Sequence, residues 1–200
     1  METNEIKQKI SRFRAYIKTL LGLFYGLAIG HGIYHVSKML LCHEKNNWLT
    51  ILLLSITSFV IAISDWFYLH LTIDKNPYKN IWRLILDILF PTLIFFLFLS
   101  TCDIITYLIF YSIYFLLTFI YSWRIIIEKG KPPSMLFPFL YDALILIGVF
   151  IIQSYWYAIV IYSEILTYTI LITYLGLLYG VIVFYNVSQE LILINKLDKS

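Results

Sequence analysis

Carboxylates inside apolar runs are where this sequence could do chemistry. Asp65 stands in FVIAISDWFYL, Asp87 in WRLILDILF and Asp142 in FPFLYDALIL. A charge held at the centre of a bilayer costs about 2.5 to 3.5 kcal/mol even on the lenient insertion scale, so such residues face a protein interior or a wet cavity and find partners. At a rise of roughly 1.5 Å per residue, all three acids fall roughly 9 to 10 Å from the cytoplasmic end of their helices. Arg83, one turn before Asp87, Arg124 and His70 belong to the same end. Three acids, two arginines and a histidine at one level imply a cytoplasm-facing polar vestibule, or a buried ion-pair network that locks the helices together.

Polar residues on helical spacing lead toward that level. Ser55, Ser58, Ala62, Asp65 and Thr72 recur at intervals near three and four, one face of a helix. Tyr107, Tyr111, Tyr114, Thr118 and Tyr121 form a ladder on another. Gln153 lies eleven residues after Asp142 and shares its face. Buried phenol hydroxyls seek hydrogen-bond partners. Facing stripes of this kind would line an interior path that ends at the acids, and the competing expectation is aromatic packing with each hydroxyl bonded to backbone. The substrate- or ion-binding candidates are therefore Asp65, Asp87, Asp142, Arg83, Arg124, His70, Tyr111, Tyr114 and Gln153. No catalytic residue is expected.

The histidines and cysteines are less informative. His31 and His35 are one turn apart, a spacing that can share a ligand, but no second helix offers a histidine at the same depth. Neither a metal nor another cofactor is expected. Cys42 and Cys102 both fall at outer helix ends, where a disulfide would need Cα atoms about 4.4 to 6.8 Å apart. Two free thiols are the simpler expectation. The seven-residue separation of His35 and Cys42 resembles that in Agr-type membrane peptidases. The double glycine and basic run beside that family's histidine are missing, and the pair belongs to the opposite face of the membrane. The paired-aspartate signature of CDP-alcohol phosphotransferases, the GxSG of rhomboids, a CxxC and the repeated arginines of a voltage sensor are absent too, so no family is assigned.

The elements that must carry these residues follow from composition. Of 200 residues, 60% are hydrophobic and only 14% charged, against about a quarter charged in soluble domains. The mean hydropathy is +0.81. The chain reads as all-α, a polytopic bundle of six transmembrane helices at about 19–38, 48–72, 81–100, 103–126, 135–161 and 166–187, each of the ~20 residues that a bilayer requires. The first span is too long for a signal-peptide core and lacks a cleavage site, so it reads as a retained anchor. Residues 1–18 form a basic N-terminal segment, 19–187 a single transmembrane domain, and 188–200 a C-terminal tail. Lys7, Lys9, Arg12, Arg14, Lys18, Lys75, Lys79, Arg83, Arg124, Lys129, Lys131, Lys196 and Lys199 belong to one set of helix ends, and only Lys38 and Lys45 to the other. By the positive-inside rule both termini are cytoplasmic, in a cell membrane.

Two stretches look alike, LGLFYGL at 21–27 and LGLLYGV at 175–181. Gly22, Gly26 and Gly30 form one small-residue ridge, and Gly176 and Gly180, extended by Thr169 and Thr173, form another. Such ridges let helices approach closely, here within the bundle or toward a second copy or a partner membrane protein. The lipid bilayer is the certain partner, and scattered Lys and Arg give no surface for nucleic acid. The leading functional expectation is a protein that binds or passes a small cation, proton or polar solute through the interior of spans 2 to 5. The alternative is a non-transporting sensor, regulator or accessory protein, for example in a defence operon, with the charges as a lock. An intramembrane lipid-modifying enzyme ranks third, because no nucleophile, metal motif or phosphate cradle accompanies the acids.

Overall fold

The computed structural model describes residues 2–42, 48–75, 81–129 and 165–197, with side chains described over 11–41, 48–70, 84–121 and 169–185 and at 188. These residues form five helices and no strand: α1 (Glu2–Cys42), α2 (Trp48–Lys75), α3 (Ile81–Leu99), α4 (Ile104–Lys129) and α5 (Ile165–Leu197). The fifth span expected from sequence, 135–161, with Asp142 and Gln153, lies outside the described residues, and α5 corresponds to the sixth. Among the described residues, three helices are long and apolar enough to cross a membrane, over Ser11–Leu41, Trp48–His70 and Ile104–Tyr121. Shorter apolar stretches, Leu84–Leu99 and Thr169–Tyr185, occupy α3 and α5.

The basic N-terminal segment from Glu2 onward is helical and continuous with the apolar part of α1. No Gly or Pro interrupts residues 2–21, and the Lys, Glu, Gln and Arg there lose little freedom in a helix. At the other end of the α3–α4 pair a tight turn at 100–103 stops one helix and starts the next. Asp103 caps α4: its Oδ1 accepts the Ile105 N–H at 3.1 Å, its Oδ2 accepts the Thr106 hydroxyl, and its carbonyl accepts the Tyr107 N–H at 2.9 Å. The Thr106 hydroxyl holds the Asp103 carboxyl below its ordinary value. Cys102, in the same turn, is an exposed free thiol whose partial burial raises its proton affinity. The side chain of Cys42 lies outside the described residues.

Packing centres on α2, which lies most extensively against α5 and also touches α1 and α3, while α1 packs on α3 and α3 on α4. The glycine ridges behave differently from one another. Gly176 and Gly180 are buried against α2, where an added Cβ would collide with Thr57 and Val60 and approach Ser64 Oγ to 3.3 Å. The ridge of Gly22, Gly26 and Gly30 has no atom within 4 Å of an added Cβ among the described residues. The buried stripe of α1 is instead Ile17, Leu21, Tyr25, Ala28, Gly32 and Val36. At Gly32 the Phe98 ring of α3 comes so close that a Cβ would lie 2.5 Å from it. The glycine used for close approach on α1 is therefore one that the ridge pattern passes over.

Candidate functional site

Helix α2 builds the site with two kinds of polar residue. In its first half, Ser55, Thr57 and Ser58 turn their hydroxyls back onto their own helix, bonding the carbonyls of Ile51, Leu53 and Leu54. This spends their polarity locally and lets the stripe lie in an apolar interior. About two turns further on, Asp65 has no such outlet, because a carboxylate accepts and cannot donate to a carbonyl.

Its partners come from other helices. Tyr179 of α5 donates to Oδ1 at 2.9 Å, Tyr25 of α1 donates to Oδ2 at 3.5 Å, and the Tyr114 hydroxyl of α4 is also within hydrogen-bonding reach. The Tyr114 and Tyr179 hydroxyls are 3.4 Å apart. Asp65 is 5% exposed and the three tyrosines are likewise buried. Edge-on ring contacts fix the phenols: Tyr114 and Phe115 each meet the Tyr179 ring at 88°, and Phe90 supports Tyr114 from α3. Hydrogen bonds to a charged group are worth about 1.5 to 3 kcal/mol each, enough in sum to offset a substantial part of the cost of burying one carboxylate.

Asp87 of α3 is fully buried and close enough to act electrostatically on both Asp65 and Tyr25. Four residues after it comes Pro91, which has no N–H to give to the Asp87 carbonyl and so interrupts the helical ladder there. Ser64, next to Asp65, is wholly buried at the α5 seam, and its Oγ has no hydrogen-bond partner among the described residues.

A second hydroxyl cluster lies about two turns away along α2. Tyr107 donates to the Leu54 carbonyl at 3.2 Å and lies 3.0 Å from Ser58 Oγ. Tyr111 is buried between the two clusters, its hydroxyl 3.7 Å from the point where a Gly176 Cβ would stand. The ladder of Tyr107, Tyr111, Tyr114, Thr118 and Tyr121 is buried along its whole length, as are Ser55, Ser58, Ala62 and Asp65 of the α2 stripe.

The remaining candidates separate from this centre or lie beyond description. His70 is half-buried, with Nδ1 3.1 Å from the Trp66 carbonyl and its ring against the Trp66 indole at 4.5 Å. Arg83 and Arg124 lie on α3 and α4, but their side chains, like Thr72, fall outside the described ones; Asp142 and Gln153 lie outside the described residues altogether. Among the described side chains, the partners of Asp65 are phenols. His31 is exposed on α1 against Phe95, lining with Phe24, Leu27, Pro91 and Thr92 a lateral groove of about 290 Å³ between α1 and α3. His35 is half-buried, and its Nε2 has no hydrogen-bond partner among the described residues. Among those residues, no three His, Cys, Asp or Glu side chains come together as a metal site.

Tyr25 and Tyr179 are the site residues that spacing arguments missed. A signal for them was present: they occupy the same place in LGLFYGL and LGLLYGV, the two stretches whose likeness suggested only packing. Each supplies one phenol to one oxygen of the same carboxylate. Compared with protein family models, with curated proteins and with solved structures, the chain matches none.

Proposed function

We propose that the chain is a six-span integral protein of a cell membrane, with both termini cytoplasmic, that binds a small cation at Asp65 and passes it through the polar interior. One observation carries the reading: Asp65 is buried and held by phenols from three other helices, with no basic side chain paired to it among the described residues. An ionised carboxylate left this way in an apolar interior is a place where a cation is stabilised. The buried column of hydroxyls on α2 and α4 offers polar stepping points beyond it.

A second reading is favoured by the same bonds. Because they tie α1, α2, α4 and α5 together, Asp65 would serve as a lock in a non-transporting sensor or regulator. Ion flux into proteoliposomes separates the two. The first reading expects flux that Asp65→Asn abolishes while the protein remains folded; the second expects no flux and a loss of stability alone. Reporter fusions at Cys42, Ser163 and Ser200 test the topology, with only Ser200 expected on the cytoplasmic side.

A further inference from the structure

We infer that the cation taken up at Asp65 is the proton, relayed to the carboxylate by the phenols of Tyr114 and Tyr179. The inference rests on the cation-binding reading and narrows it to one ion. Ligand number is the first argument. The site offers five oxygens, two from Asp65 and one each from Tyr25, Tyr114 and Tyr179, joined by hydrogen bonds of 2.9, 3.4 and 3.5 Å. A hard metal cation such as calcium takes six to eight oxygens, more than are gathered here, and would displace the phenol protons from these bonds. A proton fits without added volume.

Connectivity is the second argument. A phenol both donates and accepts, so the chain Tyr114–Tyr179–Asp65 can take a proton at one end and deliver one at the other. A proton from hydronium bonds to the Tyr114 oxygen as Tyr114 gives its own to Tyr179, and Tyr179 gives its own to Asp65 Oδ1. Three O–H bonds form and three break, two within the chain and one in the hydronium, which leaves as water; both phenols end neutral, and the carboxylate charge is discharged. The titratable groups that face Asp65 are Tyr25 from α1, Asp87 from α3, Tyr114 from α4 and Tyr179 from α5. Among the described residues none is basic, and Asp87 repels the charge on Asp65, a repulsion that one bound proton removes.

Infrared difference spectroscopy of the full chain in liposomes, with pH as the variable, tests this directly. Expected is a carboxylic C=O band that appears on acidification, is lost in Asp65→Asn, rises in frequency in Tyr179→Phe because one hydrogen bond is gone, and keeps its midpoint when sodium or potassium replaces choline. If Asp65→Asn does not fold, the Tyr179→Phe frequency shift supplies the assignment. A midpoint that moves with sodium or potassium concentration reveals a competing metal cation; it overturns the proton while leaving the cation site in place. A carboxyl band indifferent to pH while the protein stays folded overturns it as well. A titrating band in a protein that carries no flux supports the proton site and refutes transport alone.

Discussion

The two look-alike stretches, 21–27 on α1 and 175–181 on α5, do the same thing with their tyrosine and opposite things with their glycines. Tyr25 and Tyr179 converge on the two oxygens of Asp65. Around Tyr179, however, Gly176 and Gly180 are pressed against α2, whereas Gly22, Gly26 and Gly30 meet no neighbouring atom among the described residues. The cause is the width of the buried face. On α5 the buried residues Thr169, Ile172, Thr173, Gly176, Tyr179, Gly180 and Val183 make two adjacent columns, while α1 buries the single column through Leu21, Tyr25 and Ala28. A glycine one residue beyond the tyrosine, about 100° further round the helix, falls inside the wide face and outside the narrow one. A small-xxx-small pattern thus states an opportunity for close approach, and the breadth of the neighbouring apolar face decides whether it is taken.

The largest expected effect tests the filled seam. Gly180→Val places branched carbons against Val60 and Ser64 and should destabilise the protein by about 3 kcal/mol, the upper range for overpacking, in a steric-trapping or detergent unfolding measurement. A neutral result would mean that α2 and α5 separate at no cost, and the seam would lose its meaning. Next come the two phenols. Tyr179→Phe should cost about 2 kcal/mol and Tyr25→Phe less than about 1, since the first bond is short and the second sits at the limit of hydrogen bonding. Equal losses would make the two stretches equivalent partners of Asp65.

Outside both seams, Asp103→Ala gives a scale for helix capping, about 1 kcal/mol. The sign with pH follows from the lowered proton affinity of Asp103, whose largest cause is the Thr106 hydroxyl. The electrostatic part of the cap is complete above the unfolded carboxylate pKa of about 3.9 and is lost as pH falls through the lower folded value, so wild type and variant should converge in acid. Smallest of all, Gly26→Leu should change stability by less than about 0.5 kcal/mol, as at other uncovered positions. A loss comparable to that of Gly180→Val would show that the α1 ridge is covered in the membrane.

Much of the site's framework was legible in the sequence. The helical spacing of Ser55, Ser58 and Asp65, and that of Tyr107, Tyr111 and Tyr114, pointed inward because an amphipathic period survives even in an apolar chain, and all six are buried. What spacing could not supply was the partner of Asp65. A buried charge draws attention to the arginines of the same level, but a phenol can also stabilise part of that charge without bringing a second one out of water, and phenols are apolar enough to pass as core. Tyr25 and Tyr179 were therefore counted with the packing residues. The close approach at Gly32 was equally hidden, because the ridge of Gly22, Gly26 and Gly30 is the more regular pattern and Gly32 stands off its register.

The 2.9 Å bond between Asp65 and Tyr179 joins residues 114 positions apart in the chain. At about 5 to 20 residues per second of synthesis, α2 emerges from the ribosome some ten seconds or so before its short-range phenol partner exists. Ser55, Thr57 and Ser58 carry their hydrogen bonds with them, but Asp65 must wait, with Tyr25 as the earlier-made donor. A chain cut short before α5 would leave that acid without its shortest hydrogen bond.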